Sequence, residues 1–154
     1  MARSLRVTIY RLGILFMLLL SSRNGLSQDK MLMIKIAEDV YMMQNERGSS
    51  NSTFIITPEG VIVFDFDICT ADQTLAQIRK LTDKKIRYLI SSHSAGDHAT
   101  GAWYFRDDKP IYIATRNQVR DLFNQENDAF DERKASKDPR NAVYKGKELV
   151  RPDI

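Results

Sequence analysis

From Met31 onward, apolar positions come in short alternating blocks: "MLMIKIA" (31–37), "DVYMMQ" (39–44), "STFIIT" (52–57) and "VIVFDF" (61–66). A two-residue period rich in β-branched and aromatic side chains predicts strands, and Glu38-Asp39, "NERGSSN" and Pro58-Glu59-Gly60 supply the turns between them. This part of the chain reads as a β-meander. The period then lengthens. Thr70 and Gln73 have the spacing of a capping box, and Ala71, Leu75 and Ile78 follow at helical intervals. "KIRYLIS" (85–91) and "IYIA" (111–114) are further strands, and Thr115 with Gln118 repeats the capping spacing. Behind it Val119, Leu122, Phe123 and Phe130 mark a helix stripe that is apolar except at Glu126. Strands alternating with helices predict an α/β fold in which helices cover a sheet.

The two ends depart from these periods. Residues 131–154, "DERKASKDPRNAVYKGKELVRPDI", are dense in charge and hold no sustained apolar period, which predicts an exposed or poorly ordered tail. Residues 1–27 read as an export signal: Arg3, Arg6 and Arg11 precede the apolar run Leu12–Leu20, and Gly25 and Ser27 suit cleavage before Gln28. That run is shorter than the roughly 20 residues a membrane-spanning helix needs. The expected mature protein is therefore one domain, residues 28–130 followed by the tail, working in the periplasm or secreted, with no membrane attachment after cleavage.

Charge changes meaning once the leader is set aside. It carries four of the 23 basic residues and none of the 20 acidic ones, so the remainder has 19 basic against 20 acidic side chains. A chain balanced in this way gives no reason to expect a nucleic-acid or anionic-lipid partner. Cys69 is the single cysteine, which rules out an internal disulfide and leaves packing or metal to stabilise an exported chain.

The candidate chemistry lies in "ISSHSAGDHATG" (90–101), which holds both histidines of the chain. The strand ending at Ile90 runs straight into it, and open α/β sheets place ligands at the carboxyl ends of their strands. His93, Asp97 and His98 are expected to converge there: alternate residues of an extended loop share a face, and Gly96 lets the backbone turn. Imidazole nitrogen and carboxylate oxygen are donors that zinc accepts, so the three form a candidate metal site with Asp97 as the candidate catalytic carboxylate. The competing account makes the histidines turn residues and Asp97 the cap of a following helix. Spacing alone does not separate the two.

The stretch "SSHSAGDHATG", preceded by "KIRYLI" and by "NSTFIITPEGVIVFDFD", resembles the metallo-β-lactamase superfamily, whose signature is H-x-H-x-D-H after a strand. Asp65 matches the acidic residue that ends an earlier strand in that family. The resemblance implies an αββα sandwich built of two similar halves, of which this chain covers about the first. It implies Zn(2+), one or two ions, with His93 at the first position and Asp97 and His98 at the second. Ala95 stands where the family has a further histidine, which weakens the first position, and no histidine follows His98. The implied function is an exported zinc-dependent hydrolase in which metal-activated water attacks a small-molecule ester, amide, lactam or thioester. The alternative is a truncated or degenerate, non-catalytic remnant or binding module. A half-fold with an open face would also be prone to self-association.

Overall fold

The computed structural model describes residues 29–48 and 50–154; the expected export signal lies outside them. Six strands form a single sheet whose spatial order follows the chain: β1 (Met31–Ala37), β2 (Val40–Asn45), β3 (Ser52–Thr57), β4 (Gly60–Phe64), β5 (Ile86–Ile90) and β6 (Ile111–Ile113). The first four pair antiparallel, as the meander pattern predicts, whereas β5 and β6 are added parallel to β4. Each parallel step needs a crossover. Helix α1 (Ala71–Leu81) carries the chain from β4 to β5, and α2 (Gly96–Ala99), running into a 3-10 segment at Thr100–Asp108, carries it from β5 to β6.

The two crossovers pack on one face of the sheet and make the core. Tyr41, Phe54, Val63, Leu89 and Tyr112 align across successive strands on that face and are buried against Ala71 and Ile78 of α1 and Phe105 of the 3-10 segment. Phe66 closes the cluster edge-on to both Phe105 and Tyr112. This is the α/β arrangement expected, present as one sheet with one helical layer.

The opposite face is apolar. Val40, Ile55, Ile62, Tyr88 and Ile111 form one row straight across five strands, and Ile34, Met42, Thr53, Phe64, Ile90 and Ile113 form a second across all six. None of these side chains is buried. An antiparallel sheet with one solvated face normally turns polar side chains to water, so this face departs from the usual alternation.

The carboxyl-terminal helix is α3 (Arg116–Asp121), a π turn at Leu122–Glu126 and α4 (Asn127–Ala135). Its start is the capping box read from sequence: the Thr115 hydroxyl accepts from the Gln118 N–H at 3.3 Å, and the Gln118 side chain accepts from the Thr115 N–H at 2.6 Å. At α1 the same spacing does not cap, because Gln73 is drawn away. Its amide donates to the Asp29 carbonyl at 2.5 Å and accepts from the Met31 N–H at 3.1 Å, tying β1 to the helix. Thr70 is left buried without a side-chain hydrogen bond.

Residues 131–154 differ from the exposed or poorly ordered tail that their composition suggests. α4 continues to Ala135, a 3-10 turn spans Pro139–Tyr144, and Tyr144 is buried edge-on against Phe130. Ile154 then pairs with the open edge of β6, taking the Ala114 N–H at 2.8 Å. Two apolar anchors and an available strand edge order a segment whose charged side chains still face water.

Candidate active site

The site is built where β4 and β5 end side by side. The Asp65 N–H donates to the Ile90 carbonyl at 2.9 Å, the last rung of that parallel pair, and both strands then break into loops. Asp65 sits at φ +53°, a left-handed conformation that aspartate tolerates better than most residues. From there its carboxylate collects three donors: the Ser92 N–H at 2.6 Å, the Ser92 hydroxyl at 2.8 Å and His98 Nδ1 at 3.0 Å. One carboxylate thus pins both the beginning and the end of the 92–98 loop.

The backbone of the loop is held from the same side. The Phe66 N–H donates to the His98 carbonyl at 3.0 Å, and the Gly101 N–H donates to the Phe66 carbonyl at 2.8 Å. Gly101 is required there, since a Cβ would stand 2.7 Å from the Ala71 Cβ and 2.8 Å from two carbonyl oxygens. From the other flank the Gln118 amide donates to the Ser91 carbonyl at 3.0 Å, and the Tyr112 hydroxyl donates to Ser91 Oγ at 3.1 Å.

The hydrogen bonds set the histidine tautomers. Asp65 can only accept, so His98 Nδ1 carries a proton, and in the neutral ring Nε2 presents a lone pair. The Ser92 hydroxyl spends its single proton on Asp65 and therefore accepts from His93 Nδ1 at 2.9 Å, which leaves His93 Nε2 free as well. The two imidazole rings lie 4.0 Å apart between centroids, tilted by 46°. Asp97 Oδ2 stands 3.5 Å from His98 Nε2, and its side chain is about half exposed.

The expected trio is thus placed on one loop, with His98 as the shared neighbour of His93 and Asp97. Among the described residues no group of three His, Cys, Asp or Glu side chains is arranged to hold a metal ion. A tetrahedral ion with donors at about 2.0–2.2 Å separates two of them by roughly 3.3–3.5 Å, so the Asp97 and His98 pair fits one ion in its spacing. Ala95 brings no donor to the position where a second imidazole would be needed. The donor chemistry therefore fits the second metal position in part, and the first does not fit.

Asp65 and Ser92 are the residues whose roles the sequence left unassigned. Ser92 carries no motif of its own; only the fold reveals that it bridges Asp65 and His93. Glu126 was visible as the polar exception in an apolar stripe. The π turn brings it against the loop, where a Cβ on Gly96 would meet its Oε2 at 2.8 Å. That oxygen is buried and makes no hydrogen bond, the nearest cation being Arg133 Nη1 at 3.9 Å.

Other residues around the loop have structural roles. The Asp67 carboxyl is pushed upward by burial while it accepts from the Cys69 N–H at 2.9 Å. Burial, with the neighbouring Asp67 charge, pushes the Cys69 thiol up to about 12, which makes it a poor nucleophile. Asn51 accepts from the Asn45 N–H at 3.2 Å, a turn contact. A cavity of about 690 Å³ beside Cys69, Tyr104 and Lys147 contains none of the loop residues 91–98.

Comparison with known proteins bears on the family and the fold. The profile of the metallo-beta-lactamase superfamily matches residues 45–150. Among solved structures, the metallo-β-lactamase FIM-1 from Pseudomonas aeruginosa in its mono-zinc form superposes with a TM-score of 0.55 at 18% identity, over 64% of this chain and 48% of that one. A metallo-β-lactamase from Hirschia baltica gives 0.55 at 17%, over 63% and 48%, and one from Erythrobacter litoralis gives 0.54 at 15%, over 63% and 46%. The chain thus matches about half the length of these structures. No curated protein sequence matches.

Proposed function

The chain belongs to the metallo-β-lactamase superfamily, with its metallo-hydrolase-like fold, and on that premise we propose that it is the loop-bearing half of an exported hydrolase that holds a single zinc ion at Asp97 and His98. The observation that carries the reading is the arrangement of His98. Its Nδ1 is fixed by Asp65 at 3.0 Å, and Asp97 Oδ2 stands 3.5 Å from its other nitrogen, Nε2. A carboxylate holding the far nitrogen is how metal-binding imidazoles are oriented and made more basic.

When bound, zinc would lower the pKa of a coordinated water and polarise a substrate carbonyl. The chain's own residues do the rest. Asp97, half exposed, is open to hold a water molecule or take its proton. Asp65 keeps His98 in the donor tautomer, and Ser92 does the same for His93. The substrate class is a small molecule with an ester, amide, lactam or thioester bond. Export rests on the leader at residues 1–27, and cleavage before Gln28 is checked by sequencing the amino terminus of protein recovered from the periplasm or medium.

Elemental analysis of the full chain, purified without chelator, tests the metal. One zinc per chain, lost in Asp97→Asn and in His98→Ala, is the expected result; a chain without stoichiometric metal sinks the hydrolase reading. Ala95 favours a second reading, a non-catalytic remnant of the fold. Ala95→His raising metal content and creating activity would support it, and hydrolysis by the unaltered chain would dispose of it.

A further inference from the structure

The geometry points to a further working part of the loop: we infer that Glu126 serves the candidate metal site with its charge, as a carboxylate shut in beside Gly96 that strengthens the hold of Asp97 and His98 on a cation without touching it. This rests on the reading of Asp97 and His98 as zinc ligands, in which Glu126 has no role.

The carboxyl-terminal helix grips the loop at two points. At the loop's start the Gln118 amide of α3 donates to the Ser91 carbonyl at 3.0 Å, and further along the helix Glu126 reaches Gly96. The π turn at Leu122–Glu126 sets the second grip, because its wider turn rotates the residues that follow relative to an unbroken α-helix. Gly96 completes it. A Cβ at that position would stand 2.8 Å from Glu126 Oε2, so the oxygen occupies space that any other side chain would fill.

As a stabilising contact this arrangement makes poor sense. Glu126 Oε2 is enclosed and accepts no hydrogen bond among the described residues, and a carboxylate oxygen buried without a donor costs stability. Arg133 Nη1, at 3.9 Å, is too far to donate, and the same guanidinium also lies over the Tyr144 ring and 3.5 Å from its hydroxyl. More negative charge stands nearby. Asp97 directly follows Gly96, Asp65 holds His98, and burial first, then the Asp97 charge, push the Asp67 carboxyl upward. A divalent ion at Asp97 and His98 offsets this excess, since its attraction to the Glu126 charge acts over several ångströms where little water intervenes.

Glutamine at 126 separates charge from structure. It keeps the shape of the side chain, and it keeps an oxygen for the first turn of α2, whose N-cap Ala95 has no acceptor of its own. A structural Glu126 would therefore survive the exchange.

The measurements are Zn(2+) affinity of the full chain, by competition with a chelating dye, and the melting temperature of the metal-free chain. Glu126→Gln should bind Zn(2+) about tenfold more weakly, the scale of Coulomb attraction to one charge in a partly solvated site. Its melting temperature should stay level or rise, because a buried charge is gone. Arg133→Gln removes the nearest cation and should bind about threefold more tightly. Co(2+) in place of Zn(2+) should keep its visible band positions in Glu126→Gln, since Glu126 is not a ligand. The role of Glu126 is overturned if Glu126→Gln binds Zn(2+) as the native chain does, if it melts lower in step with weaker binding, or if the cobalt bands shift. It is overturned equally if Arg133→Gln fails to tighten binding. A native chain that binds no Zn(2+) sinks the hydrolase reading and this role with it, whereas native binding matched by Glu126→Gln sinks this role alone. If the glutamine variant misfolds, Arg133→Gln decides.

Discussion

Asp65 offers the sharpest test of how the loop is held, because one carboxylate accepts three hydrogen bonds from two ends of it. In Asp65→Ala the Ser92 N–H and hydroxyl and His98 Nδ1 lose their acceptor together. Ser92 is exposed and can bond water, so its share is small; His98 is 22% exposed and loses a bond to a charged acceptor. Taking about 1.5 kcal/mol for the histidine and about 0.5–1 kcal/mol for Ser92 gives about 2–2.5 kcal/mol. The backbone adds about 1 kcal/mol, since φ +53° suits alanine worse than aspartate. The expected loss is about 3 kcal/mol, read from the urea midpoint at constant slope. Asp65→Asn separates the two parts. Asparagine tolerates the same backbone and still offers one oxygen, so the fold should lose only about 1 kcal/mol. With the carboxamide nitrogen turned to His98, however, Nδ1 becomes the acceptor and the proton moves to Nε2. Long-range nitrogen–proton NMR of the imidazole reads this exchange directly. If His98 keeps its Nδ1 proton in Asp65→Asn, or if Asp65→Ala costs under about 0.5 kcal/mol, the low end for a single hydrogen bond, the central role of Asp65 is wrong.

Other predictions concern the surroundings of the loop. Gly96→Ala should destabilise by about 1 kcal/mol in the native chain, because the new Cβ meets Glu126 Oε2, yet be neutral or stabilising in a Glu126→Ala background, where a helical alanine gains over glycine. Equal effects in both backgrounds in a thermal-melt cycle would show that the two do not touch. Cys69, with its thiol pushed up to about 12, should resist iodoacetamide at about pH 8 in the folded chain and react fully in urea, followed by mass; fast native alkylation would contradict its burial. Asp67→Asn should stabilise at neutral pH, keeping the oxygen that serves the Cys69 N–H. Burial raises the folded pKa of Asp67, so its ionised form costs stability above that value and the cost fades as pH falls through it. The gain should therefore shrink toward about pH 4, the ordinary aspartate range, in denaturation curves, and a gain independent of pH would exclude this cause.

Much of the fold was legible because it rests on local periodicity. All six strands and the helix starting at Ala71 follow from alternation and turn chemistry, the strands within one or two residues at each end. The Thr115 box formed as read, since its partners are four consecutive residues. The Thr70 box did not, because Gln73 found better partners 42 and 44 positions away in β1 and the segment before it. The order seen in residues 131–154 was hidden for the same reason: Tyr144 and Ile154 are anchored by Phe130 and by the edge of β6, contacts that no window of charged residues announces.

By itself the sequence determined the α/β class, the family signature and the chemical types available at the loop, because spacing and side-chain identity are local facts. Only the tertiary structure decided that Asp65, 33 positions before His98, sets the tautomer that leaves Nε2 free, and that Ser92 does so for His93. It also decided which face of the sheet the helices cover. Strand alternation shows that two faces exist, but which of them the helices cover depends on where the crossovers return, and that is a property of the whole fold.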